Sequence, residues 1–291
     1  MKRSALLALV LLAGCAHVAD ELDGTSASRI ARPAFMVERT MSTGTYALNM
    51  WERIHTRGAP ANIYIGEGGD TPSHALGLHL ASRDRAENLG WIAQPCQFQS
   101  PSVNDDCKIP TPVTDDMLAA FSDTLDDIKA RYDITGFNLI GYDTGASVAA
   151  HLAAARTDVL SLRTIAGALD TAHNIAPALR TTPQFHFIAA GDEIVPPAVY
   201  HDFRQAQGDS TCVRYAMIQD ADHRKGWVEV WPKLLKLVPS CTEAKAAAPA
   251  AAASPPPMFN PYTKEAVRTE SLPEPEIDPL PPSPHREGYR K

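Results

Sequence analysis

Beyond its first fifteen residues the chain has no apolar run that approaches the roughly 20 residues a membrane-spanning helix needs. Lys and Arg are scattered through a chain of net charge −7. No basic stripe is left to track a polyanion, which argues against nucleic acid as a partner. Cys-x-x-Cys pairs and closely spaced Cys/His clusters are absent, so the usual tetrahedral metal sites are not written here. Neither a metal nor another cofactor is expected. The glycine-rich stretch Gly66-Glu67-Gly68-Gly69 lacks the Gly-Lys-Ser/Thr ending of a phosphate-cradling loop. No internal repeat is evident, which excludes a solenoid. Charged residues are only 21% of the chain against 44% hydrophobic, enough apolar side chain for the core of an enzyme-sized globular domain.

What is present begins with a leader. Lys2 and Arg3 form a basic n-region, an apolar stretch over 5–12 follows, and Leu12-Ala13-Gly14-Cys15 comes at once. This resembles the lipobox of bacterial lipoproteins, which implies a signal peptide over 1–14, lipid on Cys15 and attachment to a membrane through that lipid alone. Ala16, not aspartate, follows the cysteine, and the resemblance then points to the outer membrane, facing the periplasm. Export into an oxidising compartment makes the four further cysteines, Cys96, Cys107, Cys212 and Cys241, read as two disulfides. Three connectivities are possible. Pairing Cys96 with Cys107 and Cys212 with Cys241 is favoured because each pair brackets a compact stretch.

Residues 15–33 are small and polar without periodicity and read as a tether. Residues 242–291 carry Ala-Pro repeats and Pro255-Pro256-Pro257, a composition that cannot offset the entropy of ordering. That tail reads as disordered, with no partner legible in it. Between them, 34–241 fits one domain. Short apolar runs alternate with helical patterns, the signature of a mostly parallel sheet flanked by helices. The expected strands are 35–41 and 46–54 as an antiparallel pair, then 62–65, 89–94, 137–140, 160–165, 184–189 and 213–218. Helices are expected over 73–81, 114–131, 146–155 and 226–238.

The chemistry concentrates at three strand ends. Gly141-Tyr142-Asp143-Thr144-Gly145 passes from an apolar strand into an alanine-rich helix. It resembles the nucleophile elbow Gly-x-Ser-x-Gly, whose glycines allow a turn tight enough to project the middle residue from the sheet edge. Here that residue is Asp143. Asp192 follows a later strand and His223 follows the last, and the order nucleophile, acid, histidine is that of α/β-hydrolases. A histidine transfers protons near neutral pH, and an acid fixes its tautomer. The backbone N–H groups of Gly66, Glu67 and Thr144 are the expected oxyanion-hole donors.

The matches extend further. Arg57-Gly58-Ala59-Pro60 leads into Ile63-Tyr64-Ile65, Pro95-Cys96-Gln97 precedes the elbow, and 164–170 reads Thr-Ile-Ala-Gly-Ala-Leu-Asp. Asp192 is followed by Val195-Pro196-Pro197, and Asp222-His223 by Gly226-Trp227. Over about 35–241 the chain resembles a proteobacterial family of α/β-hydrolase-fold lipoproteins. The resemblance implies an α/β-hydrolase fold with little or no cap, since 170–183 is short. Family members usually carry Gly-x-Ser-Gly-Gly at the elbow, so Asp143 and Thr144 depart from the pattern. Haloalkane dehalogenases and epoxide hydrolases resemble this chain in having aspartate there, but they usually add a cap domain. Ser147, one helical turn on, should face the helix packing. Two functions follow as expectations: a hydrolase of ester-type or related small substrates using Asp143, Asp192 and His223, or a catalytically degenerate relative that binds a small ligand in the envelope.

Overall fold

The computed structural model describes residues 26–68, 75–98 and 113–242. Cys15, Gly69, Cys107 and the tail from 243 on lie outside these residues. Eight strands form one sheet: β1 (Val37–Thr43), β2 (Tyr46–Ile54), β3 (Ala61–Ile65), β4 (Asn88–Ile92), β5 (Phe137–Tyr142), β6 (Val159–Ile165), β7 (Gln184–Ala189) and β8 (Val213–Ile218). Their order is β1-β2-β4-β3-β5-β6-β7-β8. Pairings among β1, β2 and β4 are antiparallel, and every pairing from β4 through β3 and on to β8 is parallel. Both faces of a parallel sheet must be covered. Helices α1 (Ser26–Ala31), α2 (Leu76–Ala81) and α6 (Trp227–Leu234) cover one face, while α3 (Asp115–Tyr132), α4 (Thr144–Ala155) and α5 (Pro197–Ala206) cover the other.

Strand alternation divides the core in two. Tyr64, Ile140 and Tyr142 point into one layer with Trp51, Trp91, Phe187, Trp227 and Trp231. Ile63, Ile65, Phe137 and Leu139 point into the other with Met117, Phe121, Leu125 and Phe203. This is the period of two that puts successive side chains on opposite faces. Helix α3 starts where its sequence says it should: the Thr114 hydroxyl accepts from Met117 N–H, and Asp115 and Asp116 occupy the positive end of the dipole.

Two expectations are corrected here. The stretch read as tether is folded from Ser26 onward: α1 and a 3₁₀ turn over Arg32–Ala34 pack on the core, with Ala27 and Ala31 fully buried. The Ser28 hydroxyl donates to Glu38 at 2.6 Å and accepts from Trp51 Nε1 at 3.2 Å. Six residues whose apolar positions are Ala27, Ile30 and Ala31 carry too little periodicity to announce a helix, and tertiary contact with Trp51 supplies the stabilisation instead. The first strand consequently begins at Val37, because the 3₁₀ turn ends on Phe35 in a left-handed conformation (φ 58°). The last helix is also shorter than expected, closing at Leu234 after Pro232.

Between β6 and β7 the chain forms a 3₁₀ helix, Asp170–Leu179, whose Ala172, Ala176 and Leu179 are buried in the layer that holds α3, α4 and α5. No cap domain stands over the sheet edge among the described residues. Cys212 and Cys241 form a disulfide that ties the start of β8 to the stretch after α6. Cys96 is also disulfide-bonded.

Candidate active site

Asp143 occupies the turn between β5 and α4 at φ 51°, ψ −124°, a region that costs a non-glycine residue about 1–3 kcal/mol. The surroundings fix it there. Asp143 N–H donates to Ile165 O (3.1 Å), while its carbonyl accepts from Ala146 N–H and Ala168 N–H (both 3.0 Å). Both flanking glycines are required by close approach. A Cβ on Gly141 would lie 2.4 Å from Ala146 Cα, and one on Gly145 would lie 2.3 Å from Ile65 O. The turn therefore projects the carboxylate from the carboxyl edge of the sheet, with 20% of the side chain exposed.

Asp192 and His223 arrive from the ends of β7 and β8. The Asp192 side chain is fully buried, and its Oδ1 accepts from Ile194 N–H (2.9 Å) and Val195 N–H (2.8 Å), an Asx-type turn that holds the carboxylate in place. His223 Nδ1 lies 2.9 and 3.1 Å from its two oxygens. That contact directs Nε2 the other way, to 3.6 Å from Asp143 Oδ1, an ion-pair distance too long for a direct hydrogen bond. The residues around the histidine explain why Gly226 and Trp227 follow it. Trp227 Nε1 donates to Asp222 O (2.9 Å) and His223 O (3.2 Å), and the Tyr142 hydroxyl donates to His223 O at 2.9 Å. Gly226 stands at φ 88°, where a Cβ would meet Asp220 O at 2.7 Å.

The structure thus brings Asp143, Asp192 and His223 together as the sequence order suggested. Burial raises the pKa of Asp143, partly countered by the nearby imidazole and by the adjacent Thr144 amide.

The expected oxyanion hole is corrected at Gly66. Gly66 N–H is part of the sheet, donating to Ile92 O at 2.8 Å. The Thr144 and Glu67 amides lie beside the carboxylates of Asp143 and Glu67 and favour their ionised forms. The next donor, Gly68 N–H, is taken by the Thr144 hydroxyl at 2.6 Å. A glycine at 144, usual in the resembled family, would leave Gly68 N–H without that partner. Ser147 is buried in the helix packing, as expected.

Sequence reasoning used Glu67 only for its backbone, and its side chain was missed. The Glu67 carboxyl accepts from Leu76 N–H (2.6 Å) and Gly77 N–H (3.3 Å), and burial, with the nearby Asp143 charge, pushes its pKa up to about 7. A polar residue in a glycine-rich turn carries no signal of this kind, because the burial comes from α2 and β4. Among the described residues no group of three His, Cys, Asp or Glu side chains is arranged to hold a metal ion.

A strand order with a crossover at β4-β3, parallel pairing to β8, and a strained residue at the β5–α4 turn together decide the architecture. The fold is that of the α/β-hydrolases. It is shared with an α/β serine hydrolase homologue from Coxiella burnetii, at 14% identity and TM-score 0.53 over 69% of this chain and 94% of that one. An α/β serine hydrolase without lid from Xanthomonas campestris matches at 13% identity and TM-score 0.51, over 71% and 97%. An esterase from Pyrococcus furiosus matches at 13% and 0.55, over 70% and 91%. At such identities the likeness is one of fold. No protein-family model and no curated protein matches the chain. Within the α/β-hydrolase plan the departure is chemical: a carboxylate holds the elbow.

Proposed function

We propose that the protein is a hydrolase in which Asp143 is a covalent nucleophile, His223 the base and Asp192 the acid that orients it, acting on small ester-type or related substrates at an alkyl carbon. One observation carries this reading: a carboxylate, Asp143, holds the elbow, and His223 Nε2, oriented by Asp192, stands 3.6 Å from its Oδ1. A carbonyl substrate attacked in the serine-hydrolase manner would need free donors for its own oxygen, and Gly66 and Gly68 N–H are already partnered. Attack at a saturated carbon needs none. Asp143 forms a C–O bond to that carbon, and the electron pair of the breaking bond leaves with the departing group. Water, giving its proton to His223, then attacks Cγ of the ester. The negative charge of that tetrahedral intermediate develops on an Asp143 carboxylate oxygen, beside the Thr144 amide. Collapse expels the alkyl oxygen as the alcohol, reprotonated from His223.

Partnered donors also favour a second reading, a cleft that binds a ligand without turnover. Turnover of a panel of alkyl esters and alkyl halides in ¹⁸O-water separates the two. Hydrolysis through Asp143 puts ¹⁸O into its carboxylate, read as added mass on the peptide containing Asp143, and Asp143→Asn abolishes product. Binding without product or label, with aryl-ester hydrolysis appearing only in Asp143→Ser, supports the degenerate cleft.

A further inference from the structure

Glu67 is a buried titratable group that the chemistry of Asp143 and His223 leaves unused. It follows β3, which borders β5 on the side away from β6, β7 and β8. Asp143 therefore stands between a carboxyl group arriving from β3 and an imidazole arriving from beyond β8. The Glu67 turn lies directly on the elbow: Gly68 N–H donates to Thr144 Oγ1 at 2.6 Å, and a Cβ on Gly145 would meet Gly66 O at 2.7 Å. The Glu67 side chain is held by the first amides of α2, and its backbone carbonyl accepts from Gln97 Nε2 at 3.0 Å. A separate observation points to charge at this place. Trp91 is buried and its indole N–H has no hydrogen-bond partner. Trp91 Nε1 and Glu67 Oε2 lie 3.0 and 2.9 Å from the point a Cβ on Gly77 would occupy. Both groups thus line the same spot at the first turn of α2.

We propose that Glu67 is the proton donor of this site, opposite His223, and that the substrate is one whose leaving group is a basic oxygen: a strained cyclic ether or another alkyl–oxygen bond. This rests on the reading of Asp143 as nucleophile. In the first step Asp143 bonds to carbon, the carbon–oxygen bond breaks with its electron pair on oxygen, and that oxygen takes the Glu67 proton. After water hydrolyses the Asp143 ester, the proton released returns to Glu67, so each turnover consumes one water. Among the described residues the groups facing Glu67 are Asp143, whose charge raises its pKa, the neutral Tyr142 at the end of β5, and the amides of Leu76 and Gly77, which lower it. With burial dominant, the proton is held up to about pH 7.

The test uses His223→Ala protein, in which an Asp143 ester accumulates, and two reagents: an aryl glycidyl ether, whose oxygen must be protonated, and an aryloxyethyl bromide, whose halide leaves unprotonated. Mass gain on the peptide containing Asp143 is followed with time. Adding Glu67→Gln is expected to slow labelling by the ether roughly 10²-fold, the usual scale of acid catalysis, and to leave bromide labelling near its original rate. With Glu67 present, ether labelling falls as pH rises through about 7 while bromide labelling does not. Equal loss with both reagents, or no loss with the ether, overturns the proposal. Labelling by the bromide alone in the presence of Glu67 overturns it too and leaves Asp143 a nucleophile. Labelling by neither removes the nucleophile and the proton donor together.

Discussion

At Asp143 the backbone stores strain, and the neighbouring glycines are what make that strain tolerable. Gly145 has the tightest approach of the elbow, with Ile65 O 2.3 Å and Gly66 O 2.7 Å from a hypothetical Cβ. Both contacts are backbone atoms, so neither can swing aside. Gly145→Ala should therefore force α4 away from β3 and cost upward of about 3 kcal/mol, the range of severe overpacking. Gly58 is the control: it has φ 71° but nothing within 4 Å of a Cβ. Gly58→Ala should lose only about 1 kcal/mol, the backbone cost of a left-handed residue. Urea denaturation of the two variants measures the difference, and similar losses would show that close approach does not set the need for glycine at 145. Glycine spacing was legible in the sequence; which glycine is squeezed, and by what, was not.

Among the elements, the terminal ones depend most on tertiary contact. Helix α1 is too short to persist alone, yet it buries Ala27 and Ala31 and uses Ser28 to bridge Trp51 and Glu38. At the opposite end the Cys212–Cys241 bond closes a loop of 29 residues around α6, the helix that places Trp227 and Trp231 in the core. Constraining the unfolded chain over such a loop is worth about 3–4 kcal/mol. Cys212→Ala with Cys241→Ala should lower the urea midpoint accordingly without displacing Asp192 or His223, which precede α6 and are tied by their own hydrogen bonds. A midpoint unchanged from the parent would mean that the rest of the fold already restrains this segment.

For the whole molecule, the sheet lines up the candidate site along one edge: β3, β5, β7 and β8 lead into the turns that carry Glu67, Asp143, Asp192 and His223. The first of these is offered to the site only by the crossover that seats β3 beside β5. The setting of that domain is a proposal from the leader sequence. With Cys15→Ala the protein should fail to acquire lipid and remain uncleaved, read as a higher mass and a changed membrane fraction. An unaltered mature mass would remove the anchor.

Sequence by itself determined the alternation that builds a parallel sheet, the order of Asp143, Asp192 and His223, and the glycines of the elbow. These are local or ordinal properties, fixed by side-chain periodicity and by the sterics of one turn. Tertiary structure alone decided the fate of the backbone donors, since whether Gly66 N–H is free depends on a strand 26 residues away, at Ile92. It also decided that residues 26–34 fold against Trp51, and that Glu67 is a buried acid. Burial is a property of what other elements bring to a residue, and neither the desolvation of a carboxyl group nor the neighbour that shares its charge is encoded at the residue itself.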